Sequence, residues 1–325
     1  MKSGALRRCT TNIVAALTLL ASMGTASAQD YPNRPIRFLV GFAAGGSSDV
    51  VARIIGQKMS EILGVAIPVE NRTGANGTIA MRVAKEAAPD GYTMTIAGAT
   101  VIAINPHTTA NLGYDPVKDF VGVATVSKSP IVIAANPSVQ ARNLKELIEL
   151  SKGDLTMGSS GVGGIAHLAI EMFNTAGGKA THIPYTGGAP AATDVVAGHT
   201  KSLAMDLAPL QAFIQDGKMR AIAVVGESRS IMLPDVPTAI EQGYPKMSAD
   251  NWYAIVVPAG TPQPIVEKLH AAALQAVNAT EVKEKLARIG SETLPMASPA
   301  DFPAFLKKEL DRWGEVVRAA GLEKK

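Results

Sequence analysis

The chain has 325 residues, with one cysteine and a near balance of 31 Lys/Arg against 28 Asp/Glu. That length is more than one hydrophobic core usually fills and predicts about two domains. The charge balance and the lack of a basic stripe speak against nucleic acid as a partner, and a lone cysteine rules out a disulfide framework within the chain.

Lys2, Arg7 and Arg8 precede an uncharged apolar run from Ile13 to Met23, and Ala26-Ser27-Ala28 follows it as a small-x-small cleavage signal. The run is too short to span a bilayer, so residues 1–28 read as a secretory signal peptide and the mature chain starts at Gln29. Three basic residues leave with the leader, so 28 remain against 28 acidic ones, and the sequence pI near 8.9 is partly a leader effect. Cys9 leaves too, and because it precedes the apolar run it is not a lipid anchor.

Beyond the leader, short β-branched runs alternate with helix-period segments, which predicts an α/β architecture with largely parallel sheets. The predicted strands are Ile36–Val40, Ile67–Glu70, Met94–Ile96, Val121–Val126, Ile131–Ala135, Leu155–Gly158, Ala180–Pro184, Ser202–Asp206, Ala221–Val225 and Tyr253–Val257. The first helix is expected from about Asp49 to Leu63, with Val51, Ile54, Ile55, Met59 and Ile62 on one face and Gly64 as its stop. From Leu144 to Ala197 the pattern reads helix, strand, helix, strand, helix. The stretches around it, Val121–Ala135 and Trp252–Val257, are the candidate crossovers between two lobes, with Trp252 as hinge packing. These assign residues 29–127 plus 253–325 to one domain and 128–252 to the other. The tail is helical over Pro264–Val277, Glu281–Ile289 and Pro299–Ala320, and is expected to pack back on the first lobe.

One arrangement occurs twice: an apolar strand, a glycine- and serine-rich turn, then a helix. The first turn holds Phe42, Ala44, Gly45, Gly46, Ser47, Ser48 and Asp49; the second holds Ser159, Ser160, Gly161, Gly163, Gly164 and His167. A helix start presents free N–H groups and the positive end of its dipole, which suits an anion, and glycine lets the backbone come close to it. The same turns also read as plain tight connections capped by Ser47, Ser48 or Ser160. Gly41 to Gly46 has P-loop spacing, yet Ser47 stands where the phosphate-binding lysine belongs. Gly161-Val162-Gly163-Gly164-Ile165-Ala166 fits a dinucleotide turn but lacks the acidic residue about twenty positions on, and Gly158-Ser159-Ser160-Gly161-Val162 lacks the last glycine of a nucleophile elbow.

The histidines show no zinc spacing, so no metal and no cofactor is expected. His167 reads either as a ligand donor or as a packing group. Asp49 and Asp194 stand near helix starts, where an acid favours the dipole without any other role. Asp206 ends an apolar strand, where an unpaired carboxylate is costly and ligand crevices open, so it is a candidate contact, direct or through water. Phe42 and Tyr185 are candidate pocket walls, and Thr100 completes the candidate lining.

These residues resemble the Bug-type receptors of the tripartite tricarboxylate transporter family over essentially the whole mature chain. The likeness runs through Tyr31-Pro32-Asn33-Arg34-Pro35-Ile36, the Gly45-to-Asp49 turn, Val69-Glu70-Asn71-Arg72 with Gly74, Pro89-Asp90-Gly91-Tyr92-Thr93 and Tyr114-Asp115-Pro116. It continues through the Gly161-to-His167 turn, Pro184-Tyr185 with Gly187-Gly188-Ala189-Pro190 and Asp194, Leu233-Pro234-Asp235-Val236-Pro237-Thr238 and Pro258-Ala259-Gly260-Thr261-Pro262. The resemblance implies a two-domain periplasmic-binding-protein fold of the Venus-flytrap, type II-like kind, with two crossover strands. It implies a monomer without enzymatic activity, located in the periplasm, whose ligand is a small organic acid, a di- or tricarboxylate, an aromatic acid, an amino acid or a related amide, and whose partners are membrane permease subunits or a sensor kinase. It places a carboxylate between the two turns, Phe42 to Asp49 and Ser159 to His167, with Gly187, Gly188, Ala189 and the rest of the Tyr185-to-Asp194 stretch, and Asp206, on the other side. Gly41 departs from the proline common at that position, which predicts a looser first turn. The rival reading from the residues is a secreted serine hydrolase using Ser160 or Ser159 with His167.

Overall fold

The computed structural model describes residues 31–324, so the predicted signal peptide and its cleavage point lie outside the described residues. Ten strands occur among the described residues: β1 Arg37–Val40, β2 Val69–Asn71, β3 Thr93–Gly98, β4 Phe120–Ala135, β5 Thr156–Ser159, β6 Thr181–Pro184, β7 Ser202–Asp206, β8 Arg220–Val225, β9 Asp250–Pro258 and β10 Glu292–Thr293. The main helices are α1 Ser47–Leu63, α2 Thr78–Lys85, α3 Leu144–Leu150, α4 Ile165–Thr175, α5 Gly188–Ala197, α6 Gln263–Asn278, α7 Thr280–Arg288 and α8 Phe302–Ala319.

β1 runs parallel to β2 and β3, and α1 and α2 make the crossovers. All six residues of β3 are buried, as a central parallel strand covered on both faces requires. The apolar spacing on α1 turns Val51, Ile55 and Met59 into the core, and the helix stops at Gly64, which takes the left-handed conformation at φ 71°. β5 lies parallel to β6 and β7 in the same manner, with α4 and α5 as its crossovers.

The two groups of strands are joined through β4. Two strands are predicted there, but Val121–Val126 and Ile131–Ala135 form one continuous strand of 16 residues. Its first part pairs antiparallel with β9, which also pairs with β3, while Ile131–Ala135 lies between β7 and β8. Pro130, which has no N–H to give a ladder, stands opposite Asp250 at the point where β4 changes partners. β4 and β9 are thus the strands by which the chain passes between the sheets, and from Arg34 onward the described chain forms one compact unit.

The three tail helices return to the first sheet. α6 packs on α1 and β4, where His270 Nδ1 lies 2.8 Å from the Val123 carbonyl. Phe302 packs flat against Gly122, whose missing Cβ would overlap the ring. Trp252 donates to Glu309 Oε2 at 2.5 Å and meets Phe305 edge-on, so it anchors α8 to the crossover strand. Among the described residues, no helix is long and apolar enough to cross a membrane.

Candidate functional site

The first turn is held open by its own side chains. Asp49, in the first turn of α1, accepts from Gly45 N at 2.9 Å, from Arg53 Nε at 3.0 Å and from Asn71 Nδ2 at 2.9 Å, and the same Asn71 amide donates to the Phe42 carbonyl at 2.9 Å. Burial works to raise the Asp49 pKa, but the Arg53, Gly45 and Asn71 hydrogen bonds outweigh it and hold the carboxyl below its ordinary value. Gly45, at φ 79°, supplies the left-handed step that brings its amide onto Asp49. Gly46 caps α1 in an extended conformation with no side-chain capping bond, so the amides of Ser47, Ser48 and Asp49 have no carbonyl partner within the helix. The slack predicted at Gly41 is absent, because a Cβ there would come within 2.7 Å of the Gly77 backbone.

The second turn spends much of its polarity on itself. Ser159 Oγ donates to the Gly161 carbonyl at 2.9 Å, receives the Gly161 amide at 3.2 Å and meets His182 Nε2 at 2.6 Å. Gly163 N donates to His167 Nδ1 at 3.0 Å, and Ile165 N, the first amide of α4, donates to Thr100 Oγ1 at 3.2 Å. His167 stacks on His182 with ring centroids 3.8 Å apart. Burial lowers the pKa of both, and for His182 the neighbouring His167 adds to this and takes it to about 4. Ser159 Oγ has one proton, shared between the Gly161 carbonyl and His182 Nε2, and the imidazole tautomer sets which of the two receives it. The histidine that reaches a serine is His182, not the expected His167, and Ser159 is fully buried. This arrangement gives the hydrolase reading no exposed, activated nucleophile.

A small cavity of about 80 Å³ lies where these turns converge. Of the predicted residues, Phe42, Ala44, Gly46, Ser47, Ser48, Thr100, Ser160, Gly187, Gly188, Ala189 and Asp206 line it. Gly45, Asp49, Ser159, Gly161, Gly163, Gly164, His167, Tyr185 and Asp194 do not. The bonds above turn Gly45, Asp49, Ser159, Gly161, Gly163 and His167 into the framework behind the wall. Gly164 is the extended cap of α4. Tyr185 packs on Gly158 and donates to Asp194 Oδ2 at 2.8 Å, which ties both to each other. Ala43, Ile165 and Pro190, within the predicted stretches, also line it, and the lining residues outside those stretches are Gly98, Met205, Pro209, Asn251 and Tyr253.

The start of α5, Gly187 to Pro190, thus lines the cavity together with the start of α1, while the second turn contributes only Ser160 and Ile165. Among the described residues, no lysine, arginine or histidine lines the cavity. At one wall, Asn251 Nδ2 donates to Asp206 Oδ1 at 3.0 Å and to Tyr253 Oη at 2.8 Å. Burial raises Asp206 to a pKa of about 6, against the opposing hydrogen bonds from Asn251 and Ser47. Tyr253 is raised well above its usual value by burial and then by the Asp206 charge, and so stays protonated. Contacts also cross between the two sets of turns: Asn76 Nδ2 donates to the Val162 carbonyl at 3.0 Å, beside the Ile165–Thr100 bond.

A larger groove of about 600 Å³ runs between α4, residues 243–247 and α8, lined chiefly by apolar side chains with Glu171, Lys246 and Glu315 at its margins. No residue of either glycine-rich turn reaches it. Among the described residues there is no group of three His, Cys, Asp or Glu side chains placed to hold a metal ion.

The profile of the tripartite tricarboxylate transporter family receptor, TctC, matches residues 51–322. Protein BugT of Bordetella pertussis is 33% identical over 314 residues, which is 94% of this chain and 96% of its own. The structure of R. palustris Rpa4515 with adipate is 30% identical and superposes with a TM-score of 0.86 over 90% of this chain and 99% of its own. MatC (Rpa3494) from Rhodopseudomonas palustris, with bound malate, is 30% identical with a TM-score of 0.82 over 88% and 100%. The similarity shows the two-domain α/β flytrap fold predicted above.

Proposed function

The chain belongs to the tripartite tricarboxylate transporter receptor family, and we propose that it is a periplasmic solute-binding protein that takes up one small organic carboxylate between its lobes. It delivers that ligand to membrane permease subunits or to a sensor kinase, acts as a monomer and performs no chemistry on the ligand. The lobes are residues 29–127 with 253–325, and residues 128–252. The observation that carries this reading is the cavity wall itself: two helix starts, at Ser47 and Gly188, supply backbone donors where no basic side chain is present.

The energies suit binding. A hydrogen bond to a charged group contributes about 1.5–3 kcal/mol and a partly buried helix terminus up to about 2 kcal/mol. A few such contacts reach the roughly 8 kcal/mol of micromolar affinity after association costs. The bound adipate and malate of the two R. palustris relatives support a carboxylate as the ligand class. The Asn76–Val162 and Thr100–Ile165 bonds add to the grip by tying the rims together.

The test is a thermal-shift and calorimetric screen of mono- and dicarboxylates against neutral sugars. A carboxylate present at 100 times its dissociation constant adds about 2.7 kcal/mol of stability. Stabilisation by sugars with none from any acid defeats the proposal.

A further inference from the structure

We propose that Asp206 and Asn251 select the far end of the ligand, and that this end is an N–H donor, an ammonium or a primary amide, rather than a second ionised carboxylate. This rests on the carboxylate-binding reading above and narrows it to one class of acid.

The argument begins with what the wall can offer. Among the described residues, Asp206 and Tyr253 are the only titratable side chains lining the cavity, and neither carries positive charge. Both hydrogens of the Asn251 amide are committed, one to Asp206 Oδ1 and one to Tyr253 Oη. The Asp206 carboxylate requires a donor opposite it, which sets the NH2 group on that side and turns the amide oxygen the other way. Asn251 is 7% exposed, and its Oδ1 has no hydrogen-bond partner; it sits against Gly98, 3.4 Å from where a Cβ would stand. Such a buried orphan acceptor is destabilising unless something donates to it. The Ser47 side chain lies against Asp206 and Tyr253 and works to lower the pKa of both.

This part of the cavity is therefore rich in side-chain acceptors and short of side-chain donors, in contrast to the backbone amides at the helix starts. A second carboxylate placed here would set one anion against another in a partly desolvated site, with no cation to separate them. An ammonium would pair with the Asp206 carboxylate, and an amide NH2 would donate to Asp206 or to Asn251 Oδ1. Adipate and malate, held by the relatives, end in carboxylates at both ends. Their preference is thus not expected to carry over to this chain.

Calorimetry at pH 7.5 on matched sets of probes tests this: succinate, succinamate and 4-aminobutyrate at four carbons, and adipate, adipamate and 6-aminohexanoate at six. At the chain length that fits, the amide or amine acid should bind at least tenfold more tightly than the dicarboxylate. The two arms tell ammonium from amide. In Asp206→Asn that advantage should shrink at least tenfold, with the dicarboxylate gaining. A dicarboxylate that binds the unaltered protein as tightly as its N–H counterparts overturns this inference and leaves the carboxylate reading standing. Binding of none of these acids overturns both. The comparison on the unaltered protein stands alone should the variant fail to fold.

Discussion

Replacing Asp206 by asparagine should stabilise the ligand-free protein at neutral pH. The carboxyl is raised from its ordinary 3.8 to about 6, chiefly by burial. Between those values the native state holds a proton that the unfolded chain has released. Native stability therefore falls as pH rises through this window, by up to about 1.4 kcal/mol per pH unit. Below about pH 4 both states are protonated and the penalty vanishes; above about 6 it is complete. The full gap corresponds to roughly 3 kcal/mol, and the asparagine must still find partners for its own amide, so a gain of about 1–3 kcal/mol is expected at pH 7.5. Urea unfolding of dialysed protein and Asp206→Asn at several values between pH 4 and 7.5 measures it. A difference that stays flat with pH, or a variant less stable at pH 7.5, refutes the reasoning.

Other parts of the framework give sharper structural outcomes. Asp49→Ala removes the acceptor that gathers Gly45, Arg53 and Asn71; it should cost about 2–3 kcal/mol in urea unfolding and weaken carboxylate binding, although Asp49 does not line the cavity. Gly122→Ala drives a methyl group into the Phe302 ring, and a loss of at least about 2 kcal/mol on thermal unfolding should follow. His182, with its pKa depressed to about 4 by burial and by His167, should remain neutral through pH 5 in an NMR titration, whereas a midpoint near 6.5 would contradict the buried stack. Because the unfolded chain takes up that proton first, this histidine removes stability as pH falls from about 6.5 towards 4.

The sequence was most readable where local rules govern. The α1 periodicity and its Gly64 stop need only neighbouring residues, and the alternation of strands with helices carries over directly to the parallel groups around β1 and β5. Val121–Ala135 reads as one strand-like crossover stretch holding two separate strands, and only the switch from β9 to β7 and β8 explains how Pro130 is tolerated inside a single continuous strand. β10, two residues long, has no pattern to detect. At the site, composition pointed to the glycine-rich turns but could not say which amides they keep for themselves. Gly163 is consumed by His167 and Gly161 by Ser159. Asn251 and Tyr253 were missed because they lie on a crossover strand 45 and more residues from Asp206, and pairing across that distance leaves no local trace. The alternation of Asn251 and Tyr253 about the inward-packed Trp252 is the one signal that hinted at a shared face.

Backbone amide shifts on adding a carboxylate probe are the most direct readout of how the anion is held. In a ¹⁵N-resolved titration with succinamate, 6-aminohexanoate, malate or adipate, whichever saturates, the largest downfield movements should fall on Ser47, Ser48, Gly188 and Ala189. Saturation with those four amides unmoved, or with the changes centred on the groove between α4 and α8, would contradict the account.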